Sequence, residues 1–325
     1  MVSILRSNQP IAWLIVPVSG LLWFFLSLWI TDHTLGQLVT QAAGGLIVAA
    51  LAHRIYVRYG FVERGDPALA WISMVLLLLL MPLETFGLAL RSWTALFFFL
   101  AAADQILQVH RQASASGLQF RAAALAALSV FLEPLHIGLI AAMVIVLGIS
   151  RPFIFREWAM MALGGGWIFI LVFTFKTFYP ELATLFFESD HMSPLASPSS
   201  PRWIAPRFTR LWLCILAVWG VVLMFREKSK ISLRAQTTRW HLLLLFSLTI
   251  LFAILILPTL DRLVAHAFPP NQFGGLDKLL AIGVAFGMVG SIPISQRRQG
   301  ATEKKGALRM FVILGSLLIL FMPLF

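Results

Sequence analysis

"FRAAALAALSVFLEPLHIGLIAAMVIVLGISRPFIFREW", residues 120–158, decides the fold of this chain. Up to Ser150 its only ionisable residues are Arg121, Glu133 and His136, and a charged elbow containing Arg151, Arg156 and Glu157 follows. A helix that crosses a ~30 Å hydrocarbon core needs about twenty residues at 1.5 Å each. The stretch is long for one crossing and short for two, so two readings compete: one long helix kinked at Glu133-Pro134, or a hairpin that turns there. Parity separates them. If residues 118–150 cross once, every later connection changes side, and "REKSKISLRAQTTR" (226–239) and "QRRQGATEKKGALR" (296–309) are both translocated. Those two short loops carry ten basic residues, and short basic loops stay in the cytoplasm. The hairpin is the preferred reading.

The rest of the chain fits the same solvent. Of 325 residues, 59% are hydrophobic and only 12% charged, with a mean hydropathy of +0.88; a soluble domain carries roughly a quarter charged residues. Apolar runs fall at about 11–30, 35–52, 68–83, 92–107, 118–132, 135–150, 158–178, 209–225, 240–257, 275–293 and 309–325. The expected fold is therefore all-α: a polytopic bundle of about eleven spans forming one integral membrane domain over 1–325. The first run is longer than a signal-peptide core and "TDHT" after it offers no small-residue cleavage site, so it reads as a retained span.

Numbering the connections with the N-terminus inside puts 18 of the 25 Lys and Arg on the inner side, among them Arg54, Arg58, Arg151, Arg156, Lys304 and Lys305. The positive-inside rule then sets the N-terminus inside and the C-terminus outside. The net charge of +11 is thus distributed as insertion requires, and a nucleic-acid partner is not expected. A single cysteine, Cys214, excludes an intrachain disulfide and a cysteine metal cluster. Histidine pairs in the HExxH pattern are absent, and neither metal nor cofactor is expected.

Each hairpin arm, about fifteen residues or roughly 22 Å long, would end short of the outer surface, leaving Glu133 and His136 at the tip in a dimple. A carboxylate at that depth is costly unless wet or paired. Four of the seven histidines map to the outer side with an acid nearby: Asp32 with His33, Glu133 with His136, Asp190 with His191 and Asp261 with His266. Acid and imidazole together relay protons or activate a hydroxyl, although outer turns are polar in any case. His53, His110 and His241 flank inner basic segments and read as interfacial. Glu84, in "MPLETFG", ends a short span beside proline as Glu133 does, and the two carboxylates are expected to face one vestibule. Candidate catalytic residues are Glu133 and His136; candidate substrate-binding residues are Glu84, Asp32 and His33. Asp104 lies near the inner end of its span and is expected to pair with an arginine.

The outer connection 179–208 reads as an interfacial helix followed by a Pro/Ser-rich loop, with Pro194, Pro198, Pro201 and Pro206 preventing regular structure. It is either a linker or a lid. "LGGGW" (163–167) and "GVAFGMVG" (283–290) supply small residues for close helix approach; the rarer alternative for the first is an unwound, ligand-facing segment. Neither has the strand and helix context of a phosphate loop, and no internal repeat is visible.

The segment from Phe120 to Phe173, with Arg151, Pro152, Phe153, Arg156, Glu157, Trp158 and Gly164 to Gly166, resembles the middle of an uncharacterised family of bacterial polytopic membrane proteins, and "LRSNQPIAWLIVPV" looks like its start. The resemblance covers about a third of the chain. It implies an all-helical fold in the bacterial inner membrane and transfers no activity. The helix arrangement is distantly similar to membrane glycosyltransferases and polysaccharide polymerases that use lipid-linked sugars; those carry an acid in a large first outer loop, where this chain has Asp32 in a connection of about four residues. Three functions are carried forward: a component of cell-envelope assembly that binds or transfers a lipid-linked glycan; a proton-coupled transporter of a small or lipidic solute; and a scaffold for other envelope proteins. Membrane lipids are partners in all three.

Overall fold

The computed structural model describes residues 10–30, 34–59, 68–80, 86–109, 115–150, 153–180 and most of 237–251. Among these the protein is helical, without strands. The helices are α1 (Pro10–Ile30), α2 (Leu35–Arg58), α3 (Ala68–Leu80), α4 (Phe86–Val109), α5 (Ser116–Leu132), α6 (Ile137–Ser150) and α7 (Phe155–Phe178), with a 3-10 turn at Pro134–His136 and a further helical stretch at Trp240–Thr249. Helices are what a lipid-dissolved chain can form segment by segment, because each satisfies its own backbone N–H and C=O groups. Three stretches are long and apolar enough to cross a membrane: Leu35–Arg58, Ala89–Val109 and Phe155–Phe178. Val16–Trp29, Ser116–Leu132, Ile137–Ile149 and Trp240–Thr249 are apolar but shorter. The expected spans at 209–225, 275–293 and 309–325 lie outside the described residues, as do Cys214, Gly283 and Gly287 and all but the first two residues of the 179–208 connection.

Side-chain contacts fix the direction of each helix. Glu157 bonds Ala115 and Gln119, Gly164 rests on Phe120, and Ile168 and Val172 pack on Ala127, so numbers rise together along α5 and α7 and the two run parallel. The chain between them has to return, and α6 is that return. Glu133-Pro134 is therefore a reversal and not a kink within one crossing. On α4 the order is opposite: Arg91 meets Leu132 and Ala95 meets Ser129, which makes α4 antiparallel to α5. Gln41 meets Trp93 and Arg58 meets Asp104, so α2 is parallel to α4, while Trp71 on Ser19, Met74 on Gly20 and Leu78 on Gly45 pack α3 against α1 and α2. Direction alternates from α4 to α7.

The reversal follows from one residue. Pro134 has no N–H to continue the α5 ladder, and it drives the preceding Glu133 into extended backbone, with φ −137° and ψ 97°. The Glu133 N–H still closes onto the Ser129 carbonyl at 2.9 Å, and the His136 N–H closes onto Glu133 at 2.9 Å as the 3-10 turn begins. The flanking helices are held close by small residues. Ala122, Ala123, Ala126 and Ala127 are buried on α5. A Cβ on Gly164 would collide with the Phe120 carbonyl, and one on Gly44 would enter the Trp93 ring. Helix α7 runs unbroken through Gly164, Gly165 and Gly166, so this motif serves packing and the unwound alternative is not what forms.

Candidate functional site

Two polar centres lie at opposite ends of the described bundle. At the end where α2 and α4 finish and α5 and α7 begin, Asp104 is tied to three side chains: its Oδ2 accepts from Arg58 Nη1 at 2.6 Å and from Gln108 Nε2 at 3.0 Å, and the Tyr59 hydroxyl proton is shared between the Asp104 carbonyl oxygen at 2.8 Å and Oδ1 at 3.0 Å. The expected arginine partner is thus Arg58. These bonds lock α2 to α4. The nearby Glu157, 5% exposed, accepts from the Ala115 N–H and the Gln119 amide at 3.1 Å each, so an acid in the first turn of α7 receives donors from the start of α5. Charge proximity alone suggests pairing with Arg151 or Arg156; the bonds seen go to the start of α5, where the N–H groups of a buried helix start need acceptors. Arg156 is exposed, and Arg151 lies outside the described residues. Phe153 stacks on Trp158 at 5.6 Å between the ring centroids, closing the elbow.

The second centre is built on the α5–α6 reversal. Glu133 is 7% exposed and His136 not at all. His136 Nδ1 lies 2.6 Å from Ser129 Oγ, and Ser129 Oγ donates to the Ala95 carbonyl at 2.9 Å. The imidazole is also tilted against Phe99, with centroids 5.3 Å apart, and Phe99 in turn meets Phe246 edge-on at 5.2 Å. Ala95 and Phe99 sit roughly 14 to 20 Å along α4 from its start at Phe86. His136 therefore turns inward from the reversal, deeper than a residue lining an outward dimple. The bend of the 3-10 turn folds the side chain back alongside the last turn of α5.

Arg91 completes the centre. Its Nε donates to the carbonyl of Leu132, the last residue of α5, an acceptor that has lost its helical donor because His136 N–H goes to Glu133 instead. The Arg91 and Glu133 charges also attract each other. A cation suits the carbonyl end of a helix, where the macrodipole is negative. Sequence reasoning left Arg91 and Ser129 unassigned. The signals were there: an arginine on the poorly basic side of an apolar run needs a partner, and Ser129 precedes Glu133 by four residues and His136 by seven, close enough to meet them across a tight turn.

Glu133 and His136 thus lie buried on one turn, with Ser129 against the imidazole and Arg91 on the adjoining Leu132 carbonyl. Glu84, Asp32 and His33 lie outside the described residues, as do Asp190, His191, Asp261, His266 and His110. His53 and His241, expected at the interface, are both buried. Among the described residues no three His, Cys, Asp or Glu side chains converge as metal ligands.

Fold and centre together define a class: an α-helical bundle with helices able to span a membrane and a buried acid and imidazole near a half-buried arginine at one helix reversal. No protein-family model, curated protein or solved structure matches the chain.

Proposed function

We propose that the chain is an inner-membrane component of cell-envelope assembly, with about eleven spans, in which Glu133 and His136 accept a proton from a hydroxyl group of a lipid-linked glycan. Orientation comes first. Arg54, Arg58, Arg121 and Arg156 lie toward one end of the alternating bundle, and cations flanking spans face the cytoplasm. That assignment puts the N-terminus inside, the C-terminus outside and the reversal at Glu133 in the outer leaflet half. The observation that carries the reading is the convergence of Glu133, His136, Ser129 and Arg91 at that reversal. Ionisable groups inside a membrane protein are expensive, and a cluster of them marks a pathway or a site. An imidazole on the same turn as a carboxylate is suited to removing a hydroxyl proton, Arg91 to offsetting the negative charge that results, and Glu84, Asp32 and His33 to binding at the same side.

The complete burial of His136 favours a second reading, a proton-coupled transporter in which the same groups carry the proton. The experiment is replacement of Glu133 by Gln at unchanged protein level. Loss of cell function together with accumulated lipid-linked sugars supports the glycan reading. Loss of proton-coupled uptake with normal lipid-linked sugars supports transport. Full function in the variant removes both and leaves the scaffold.

A further inference from the structure

The reading of Glu133 and His136 as the working pair leaves one question that the geometry answers, namely which nitrogen of His136 does the work. We propose that Ser129 is a positioning residue that fixes the tautomer of His136, with the proton on Nδ1 and the lone pair on Nε2, so that the imidazole acts toward an O–H donor and not toward an anion.

A serine hydroxyl has one proton and two lone pairs. Ser129 Oγ lies 2.9 Å from the Ala95 carbonyl oxygen and 2.6 Å from His136 Nδ1. The carbonyl can only accept, so the hydroxyl proton belongs to it. Oγ then presents a lone pair to Nδ1, and Nδ1 must supply the proton of that bond. The reverse arrangement, with the hydroxyl donating to Nδ1, would set the oxygens of Ser129 and Ala95 against each other at 2.9 Å inside a dry bundle, where opposed acceptors are costly. Both ends of the relay are anchored. Ala95 belongs to the backbone of α4, Ser129 to the penultimate turn of α5, and the ring of Phe99 rests against the imidazole. Ser129 is fully buried, so water does not compete for either bond.

A neutral imidazole held this way has its acceptor at Nε2. It can take a proton from, or accept a bond from, an O–H group such as a sugar hydroxyl or water. It cannot donate through Nε2 to a phosphate oxygen unless first protonated. The centre is accordingly matched to the hydroxyl-bearing part of a ligand, with Arg91 rather than His136 as the group able to meet an anion. The same relay holds whether the donor is a glycan hydroxyl or the water of a proton pathway.

The test uses the full chain, labelled with 15N-histidine, in lipid bilayers by solid-state NMR, with His136→Asn identifying the His136 signals by difference. Expected are a protonated Nδ1 and an unprotonated Nε2 at neutral pH, a change of tautomer population in Ser129→Ala, and recovery in Ser129→Thr, which keeps the hydroxyl. Magnetisation transfer from added polyprenyl-diphosphate sugar to Nε2 identifies a glycan hydroxyl as donor, and transfer from water alone identifies the proton pathway. A wild-type His136 protonated on Nε2, or a tautomer unchanged in Ser129→Ala, overturns the proposal. Failure of the functional reading is separate: Glu133→Gln with full cell function would remove the pair's role while the NMR result for Ser129 stood.

Discussion

The guanidinium of Arg91 on α4 holds the carbonyl oxygen of Leu132, the residue at which α5 stops. One side chain thereby caps a neighbouring helix, and its charge also attracts that of Glu133. The break that Pro134 imposes would otherwise leave a helix end without a donor in a region that water does not supply.

Replacing Arg91 by Met should remove a charge-assisted hydrogen bond and uncover the Leu132 carbonyl, costing about 2–3 kcal/mol. The expected result is a lower unfolding midpoint in detergent and faster hydrogen exchange at Leu132 to His136. Arg91→Lys keeps the charge without the fork of donors and should fall between the two.

Gly164 and its two neighbours make an internally controlled set. Gly164→Ala drives a methyl into the Phe120 backbone, and overpacking of this kind costs about 1–3 kcal/mol. Gly165→Ala and Gly166→Ala meet nothing within 4 Å, and the gain in helix propensity, about 1 kcal/mol, should leave them neutral or stabilised. Thermal unfolding of the three variants in one detergent gives the order directly.

Glu157→Ala strips the acceptor from the Ala115 N–H and the Gln119 amide, both buried. Each uncovered donor costs about 1–3 kcal/mol, and the loss is local to the start of α5. Hydrogen exchange should rise first at Ala115 to Gln119, whereas Glu157→Gln, which retains an amide oxygen, should recover part of the protection.

At the Arg58–Asp104 pair the two partners differ. The Arg58 side chain is 41% exposed and that of Asp104 11%. A double-mutant cycle of Arg58→Met with Asp104→Asn should therefore give a coupling of only about 1 kcal/mol or less, because solvent screens the exposed partner. The single substitution Asp104→Ala should cost more, since it also removes the acceptor of Gln108, while the Tyr59 hydroxyl keeps the backbone carbonyl of residue 104 at 2.8 Å.

Much of this was legible in the residues. Pro134 after an acid in an apolar run signals a break, because the missing N–H and the extended preference of the preceding residue act within a few atoms, and the ten basic residues of the two later loops told a reversal from a kink. Gly164 reads as a close approach for the same local reason, and Asp104 as an ion-pair member because a lone acid near a basic helix end has few alternatives. The partners of Glu133 and Glu157 were not legible. Both are set by which helices run side by side, and sequence spacing does not say that Ala115 lies beside Glu157 or Arg91 beside Leu132. The inward turn of His136 was missed because it depends on the direction of one 3-10 turn, a property of three backbone angles and not of composition.

The central claim is that α6 brings the chain back, so that both ends of the 116–150 hairpin face the cytoplasm and the Glu133 reversal faces outward. In a Cys214→Ser background, single cysteines at Arg111 and Arg151 can be tested with a membrane-impermeant maleimide applied to intact spheroplasts, with Glu84→Cys as the outward control. Both arginine sites should stay unlabelled until the membrane is permeabilised, while the control labels at once. Labelling of Arg151→Cys from outside with Arg111→Cys still protected would mean a single kinked crossing, and would contradict the account.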